Sequence, residues 1–442
     1  MVEKALLIFI RLKHKKILSH AAPKSFSSSN AQNKNGKSNH EIEHEELKNL
    51  VLSAGANVED IIDHSQDNIN PRFYISSGKL EEIKSLISYK EYDLAVFDND
   101  LSPAQQNNLE KTFKIKVIDR TALILDIFAQ RARSSEGKLQ VELAQLNYIL
   151  PRLRGKGVEL SRLGGGIGTR GPGEQKLEVD RRKIRKRISQ LESRINKIEI
   201  QRETQRKKRE GNRIFQVSLV GYTNSGKSTL LNKLTKSDVL VKDMLFSTLD
   251  STTRKIKIPE IDEILVSDTV GFIEKLPHQL VAAFKSTLEE VRKSDLLLLI
   301  VDSGSINFQK NINSVTNVLK EIEVIDKPVE IVFNKIDLLS AEELDKLKLK
   351  YKNAVFISAL KSSGLERLYE KIKNTVNQAR IEISLKIPYS DNEMISFIYR
   401  NCKILEKNYL EDGALLVIYA NTAIMEKVKK YLYRKNGIKK TF

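Results

Sequence analysis

Gly221-Tyr222-Thr223-Asn224-Ser225-Gly226-Lys227-Ser228 spells G-x-x-x-x-G-K-S, between the apolar run Ile214–Val220 and the helical pattern Lys227–Lys236. A loop that joins a buried strand to a helix N-terminus turns its backbone N–H groups toward an anion; a glycine-rich turn in another setting does not. In such a loop Lys227 brings positive charge to the β and γ phosphates, and Ser228 offers a hydroxyl ligand to Mg²⁺. The stretch therefore predicts a nucleoside triphosphate site at the edge of an α/β sheet.

Downstream signatures narrow the ligand. Glu263–Ser267 runs into Asp268-Thr269-Val270-Gly271, a D-x-x-G pattern. There Asp268 is placed to hold Mg²⁺ through water, and the Gly271 amide to meet a γ-phosphate. Asp295–Val301 reads as a further buried strand. Glu330–Phe333 then leads to Asn334-Lys335-Ile336-Asp337, an N-K-x-D pattern. The Asp337 carboxylate can accept from guanine N1–H and N2–H₂ while Lys335 lies along the base. Adenine has no amino group at that position and would leave the acceptor unsatisfied, a penalty of about 1–3 kcal/mol. Phe356-Ile357-Ser358-Ala359-Leu360 supplies a turn to support the base. All these loops are expected at strand carboxyl ends, where open α/β sheets bind nucleotides. GTP and GDP, with Mg²⁺, are the expected ligands.

The hydrolytic parts are less complete. Phe246-Ser247-Thr248-Leu249-Asp250-Ser251-Thr252-Thr253-Arg254 reads as the first switch, and Thr248, Thr252 and Thr253 all have a hydroxyl for Mg²⁺. Phe272 follows Gly271, where a glutamine often orients the attacking water, and a phenyl ring cannot. Two routes remain. Asn224 could help to hold a monovalent cation such as K⁺, or a bound partner could complete the site. Lys227, Asn224 and Gly271 are the catalytic candidates, together with one of the three threonines, and a slow intrinsic rate is expected.

A chain of 442 residues, 40% of them hydrophobic, suggests about three domains of ordinary size. A lone cysteine, Cys402, excludes a disulfide framework and a cysteine-based zinc site. The apolar run Ala5–Ile10 is too short to span a membrane, so a cytoplasmic protein is expected. Net charge is +18. Of this surplus, +12 falls between Arg152 and Arg213, with 20 Lys/Arg against 8 Asp/Glu. Such a cluster favours a polyanionic partner, RNA before anionic lipid.

Short strands (Lys4–Ile10, Val58–His64, Asp93–Phe97, Ile115–Ile118) alternate with helices (His44–Ser53, Lys79–Ser88, Pro103–Phe113), predicting an α/β domain over residues 1–119. Within it Ala21–Asn39 has the composition of a disordered insertion. Residues 120–213 should form a helical arm. Leu139, Leu143, Leu146 and Ile149 recur at helical spacing up to Pro151, and Ile184, Ile188, Leu191, Ile195 and Ile198 form an a/d seam. Two antiparallel helices joined at a basic tip fit this best, with two ordinary helices on a neighbouring domain as the alternative. Six glycines between Gly164 and Gly173 exclude a packed element there. Arg152, Arg154 and Arg170 are the expected phosphate contacts. Residues 214–378 form the P-loop domain and 379–442 a small α+β domain, with strands at Ala379–Ile387 and Ala414–Tyr419 and helices near Asn392–Arg400 and Thr422–Tyr433.

Taken together, Tyr74–Ile83, Leu125–Ala132, Gln145–Gly155, Gly164–Glu174, Gly221–Ser228, Phe246–Asp250, Asp268–Phe272 and Asn334–Asp337 resemble the HflX family of ribosome-associated GTPases over nearly the whole chain. The run from Gln130 to Glu174 is the most distinctive. The resemblance implies that Phe246–Asp250 contacts GTP, that Thr248 binds Mg²⁺ and that a hydrophobic residue follows D-x-x-G. It implies a monomeric factor that binds the large ribosomal subunit and splits stalled or idle ribosomes under stress, its arm pushed toward the peptidyl-transferase region. Two features depart from the family: the Ala21–Asn39 insertion, and Ser251 where many members have proline. Ser77-Gly78-Lys79 lacks the upstream glycine of a phosphate loop, which weighs against ATP use in the first domain. A GTP-dependent assembly or RNA-binding switch is the rival reading. A membrane-surface regulator of proteolysis is the third.

Overall fold

Lys4–Leu12 carries a nearly unbroken apolar run, which suits a strand covered on both faces. It forms β1, in the interior of an all-parallel four-stranded sheet of order β2-β1-β3-β4 with β2 (Asn57–Gln66), β3 (Leu94–Phe97) and β4 (Lys116–Asp119). The computed structural model describes residues 2–13, 39–153, 172–207, 214–235, 246, 252–258, 263–273, 290–322, 324, 326–379, 381–402, 404–420 and 422–433. Alternate side chains of β1 enter opposite cores. Leu6, Ile8 and Ile10 meet α2 (Ser77–Lys90) and α3 (Pro103–Phe113), whereas Ala5, Leu7 and Phe9 meet α1 (Asn39–Ala54) and α4 (Arg120–Arg131). The expected insertion lies outside the described residues, apart from Asn39 at the start of α1.

The arm begins differently from its sequence reading. The helical arm was expected to begin at residue 120. The chain instead breaks at Ala132–Ser134, and the Ser134 hydroxyl caps α5 (Ser135–Arg152) by accepting from Gly137 N at 2.9 Å. α4, assigned to the arm on sequence grounds, buries Leu123, Ile124, Ile127 and Phe128 in the N-terminal core. Pro151 does not end α5, which continues through Arg152. The buried side of α5 is Gln140, Val141, Ala144 and Tyr148, while the expected stripe is half-buried and Ile149 is exposed. α5 packs against both α4 and the partner arm helix, so two faces are covered and a single stripe misleads. That partner is α6 (Pro172–Lys207), 36 residues long against 18 in α5. On α6 Leu191 is fully buried, the four isoleucines of the seam are half-buried, and Arg187 forms a forked pair with Glu142 at 2.7 and 2.9 Å. The glycine-rich tip as far as Gly171, with Arg154 and Arg170, lies outside the described residues, whereas Gly173, expected in the unpacked stretch, stands in the first turn of α6.

Arg152 is not a free RNA contact. Its guanidinium sits over the Tyr148 ring and donates to the Leu101 carbonyl at 2.9 Å and to Asp119 at 3.1 Å. Asp119 also accepts from Leu101 N, Ala122 N and the Tyr148 hydroxyl. One buried carboxylate thus ends β4, caps α4 and anchors the far end of α5. Burial raises its pKa despite those donors, and burial with the Asp119 charge keeps the Tyr148 phenol protonated as a donor. Arg152→Ala should destabilise the protein by about 3 kcal/mol, read as an earlier urea midpoint, because removing one partner strands a buried charge.

The second sheet has order β10-β9-β8-β5-β7-β6. β5 (Gln216–Gly221), β7 (Glu263–Asp268), β8 (Leu296–Asp302), β9 (Val329–Asn334) and β10 (Val355–Phe356) are parallel, and β6 (Thr252–Lys257) is an antiparallel edge. On β8, Leu296, Leu298 and Ile300 enter one core and Leu297, Leu299 and Val301 the other. The carboxyl-terminal unit is an antiparallel sheet of order β11-β13-β12, with α11 (Asn392–Asn401) and α12 (Thr422–Val428) packed on its core face; α7 to α10 belong to the second sheet and follow below. Its strands are β11 (Ile381–Pro388), β12 (Ile404–Leu410) and β13 (Gly413–Ala420), and the helices of the second sheet are α7 (Lys227–Thr235), α8 (Phe308–Glu321), α9 (Ala341–Lys350) and α10 (Leu365–Ala379). β12 was not anticipated: it is an edge strand, exposed from Leu405 to Leu410, and lacks an apolar alternation.

Candidate nucleotide site

The Gly221–Ser228 loop leaves the carboxyl end of β5 and enters α7 (Lys227–Thr235). Its course is set from two sides. On one, Thr223 N donates to the Phe272 carbonyl at 2.8 Å and Phe272 N to the Gly221 carbonyl at 3.1 Å, tying the loop to the D-x-x-G segment. On the other, the Asn334 amide donates to the Ser225 carbonyl at 2.9 Å. Gly226 has φ +90°, and a Cβ there would lie 2.2 Å from the Asn334 amide nitrogen, so both backbone and space demand glycine. Asn224 also adopts a left-handed conformation, φ 59°, and is exposed.

Lys227 is buried, with Nζ donating to the carbonyls of Gly221 (3.1 Å) and Tyr222 (2.9 Å). Burial pulls its pKa down to about 8, against an opposing contribution from Asp268. The Ser228 hydroxyl donates to Asp268 at 2.5 Å. A Cβ on Gly271 would lie 2.9 Å from Thr223 Cα and 3.2 Å from Lys227 Nζ, so this glycine lets the two loops close on one another. The other side chains of the segment turn away. Thr269 donates to the Leu219 carbonyl at 2.7 Å, Val270 packs on the N-terminal core, and Phe272 is buried in the core between β5 and β8.

The base-side loops stand at the ends of β9 and β10. Asn334 spends both ends of its amide on protein, accepting from Ala359 N at 2.9 Å while it donates to Ser225. Its part is to join the two loops. Lys335, in a left-handed conformation, pairs with Asp302 at 2.7 Å. Ile336 packs against the core beside β9, and Leu360 is exposed. A hydrogen bond from buried Ser358 holds the Asp337 carboxyl below its ordinary pKa, keeping it a charged acceptor. Phe246 lies in the N-terminal core. Ser247, Thr248, Leu249 and Asp250 fall outside the described residues. Of the other candidate threonines, Thr253 bonds Ser267 and Glu290, and Thr252 stands opposite Asp268 in the β6–β7 register. Asp302 was not anticipated, although its position at the carboxyl end of β8 matches that of Asp268 and Asn334.

Three buried polar atoms suit a bound nucleotide. Thr223 Oγ1, Ser225 Oγ and Asp337 Oδ1 lack hydrogen-bond partners within the protein, and such atoms are costly unless a ligand meets them. Among the described residues no group of three His, Cys, Asp or Glu could hold a metal, and Ser228 and Asp268 offer oxygens that Mg²⁺ would share with the nucleotide. Hydroxyl and carboxylate oxygens are the hard donors this ion takes.

A G-x-x-x-x-G-K-S loop between β5 and α7 and an N-K-x-D segment at the end of β9, on one largely parallel sheet, define a P-loop GTPase. The chain matches three family profiles, described as GTP-binding GTPase N-terminal (residues 41–129), GTP-binding GTPase Middle Region (131–209) and 50S ribosome-binding GTPase (216–335). It is 46% identical over 387 residues to the GTPase HflX of Caldanaerobacter subterraneus, spanning 88% of this chain and 89% of the relative. Its identity to the GTPase HflX of Escherichia coli is 42% over 384 residues, or 86% and 90% of the two chains. Among solved structures, it is similar to a GTP-binding protein from Sulfolobus solfataricus in complex with GDP, with 28% identity, a TM-score of 0.42, and 85% and 99% of the chains covered. The chain belongs to the HflX family, and it binds and hydrolyses GTP.

The depressed Lys227 pKa sets a pH dependence. A phosphate beside Nζ restores the charged form, so the bound-state pKa exceeds the free-state value of about 8. GDP affinity should therefore be flat below pH 8 and weaken as pH rises above it, with proton uptake on binding. Titration calorimetry at pH 8.5 in two buffers of different ionisation enthalpy measures that uptake. Lys227→Met should abolish it.

Proposed function

We propose that Gly221–Ser228 holds the triphosphate of GTP, with Ser228 and Thr248 as Mg²⁺ ligands, Asp268 reaching the ion through water and the Gly271 amide facing the γ-phosphate. Bound Mg²⁺ would neutralise charge on the β and γ phosphates. Asp337 reads the guanine edge, Lys335 flanks the base, and Ser358–Leu360 supports it. Asn334 acts on the ligand by holding Ser225 and Ala359 in place. Phe272 is buried and presents no group to a water, so activation comes from outside that position, through a cation such as K⁺ near Asn224 or through a bound partner. Asp337→Asn should weaken GTP binding by about 1–3 kcal/mol, roughly 5- to 150-fold, and raise affinity for xanthosine triphosphate, whose 2-oxo group accepts where guanine donates. Competition with a fluorescent GDP derivative reads both effects.

We further propose that this GTPase works, as a monomer in the cytoplasm, on the large ribosomal subunit and splits stalled or idle ribosomes. The observation that carries this reading is the basic segment 152–213, holding two-thirds of the net charge and including a helix twice as long as its partner. The profile matched by residues 216–335, described as that of a 50S ribosome-binding GTPase, supports it. No described helix is long and apolar enough to cross a membrane. Sedimentation of purified ribosomes with the protein and a non-hydrolysable GTP analogue tests the reading. Joined ribosomes should separate into subunits. Binding to the large subunit without separation favours the assembly switch instead.

A further inference from the structure

The turn that leaves β8 lies against the N-K-x-D segment and grips it. Asp302, the last residue of β8, stands opposite Asn334 in the β8–β9 register. Ser303, 6% exposed, donates to the Asn334 carbonyl from both N and Oγ, at 2.9 and 2.7 Å. The Asp302 carboxylate divides its oxygens: Oδ1 accepts from Gly304 N at 3.0 Å, and Oδ2 pairs with the Lys335 ammonium at 2.7 Å. Its own turn thus orients the group that meets the lysine. Gly304 permits the close approach, since a Cβ there would lie 3.1 Å from Leu338 Cδ1, just past the same segment.

Lys335 is therefore held at both ends. Its backbone is left-handed, with φ 61° and ψ 35°, a conformation that costs a residue with a side chain and persists only where the surroundings impose it. Those surroundings are the Ser303 bonds to the preceding carbonyl and the bond from Ile336 N to the Ile357 carbonyl at 3.2 Å. With Cα and Nζ both fixed, the four-carbon stem has little rotamer freedom left to lose when a base lies against it. The direction of the ammonium matters as much. Two residues on, Asp337 Oδ1 is buried and lacks a hydrogen-bond partner within the protein. The Lys335 charge reaches that carboxyl, behind the Ser358 hydrogen bond and Lys361 in effect. Released from Asp302, the ammonium would compete with guanine for the open acceptor. An ion pair about a quarter exposed adds little to stability, so its effect lies in where it puts the lysine.

Resting on the reading of Asn334–Asp337 as the guanine reader, we propose that Asp302 is a positioning residue for nucleotide binding. It draws the Lys335 ammonium away from Asp337 and stretches the lysine stem beside the base. The stem meets the face of a purine and not its edge. Its displacement therefore weakens GDP and inosine diphosphate, which lacks the 2-amino group, by the same factor.

The experiment uses the full chain with fluorescent derivatives of both diphosphates. Asp302→Asn keeps an oxygen for Gly304 N and removes the charge. It should speed GDP dissociation about tenfold, since such changes act mainly on off-rates, and weaken both nucleotides equally. The urea midpoint should stay in place. In a Lys335→Met background the same substitution should change GDP dissociation by less than about threefold, because both variants break one contact. A dissociation rate within about threefold of the parent's in Asp302→Asn overturns the proposal, as does an undiminished effect in the Lys335→Met background. A loss confined to GDP overturns it too, and so does a lowered urea midpoint, which would mark Asp302 as a support of the fold. Asp337→Asn serves as the control. If it keeps full GDP affinity, the guanine-reader assignment fails, whatever Asp302 does.

Discussion

A cradle built from backbone amides needs a support other than the anion it awaits, and here Asn334 provides it. Its side-chain amide binds the Ser225 carbonyl on one side and Ala359 N on the other, in a site where it is 2% exposed. The phosphate loop and the base-supporting turn, more than a hundred residues apart in sequence, are thereby held in one frame. Gly226 is the complement of that contact, since any side chain there would meet the amide. The two loops therefore stand or fall together. Losing Asn334 would leave two buried backbone groups without partners and free two loops at once.

The N-terminal half hangs on a comparable point. Asp119 gathers donors from the loop before α3, from α4 and from α5, so one carboxylate sets where the sheet ends and how the arm departs. The buried ionic groups of this half run from there through Arg120 and Glu46 to the phosphate loop. Each is matched by an opposite charge or a hydrogen bond, which is the condition for keeping ionic groups out of water. The two halves of the molecule meet through this polar line and through the apolar cluster around Phe128 and Phe246.

Much of this was legible from residue pattern. Phosphate loop, D-x-x-G and N-K-x-D each follow a strand whose apolar run is plain, and their chemistry is local, so a few adjacent residues carry the signal. β1 and β8, buried on both faces, could be read for the same reason. What escaped depends on partners distant in sequence. Arg152 looks like any basic residue in a basic stretch, and only Asp119, 33 positions away, makes it an anchor. Glu46 gives no local sign that it meets Tyr222, 176 residues on. Pro151 was read as a helix end, although a proline in the last turn removes a single hydrogen bond. β6 and β12 are edge strands, where one neighbour and much solvent leave no apolar rhythm.

The unequal helices of the arm carry a mechanical consequence. At 36 residues α6 spans roughly 54 Å, while α5 covers about half of that. A rod of that length magnifies angle into distance: tilting it by about 5° at its base swings its far end by about 5 Å. Shifts of less than an ångström among packed side chains, too small to matter inside the fold, become displacements at the distal end as large as an amino acid side chain.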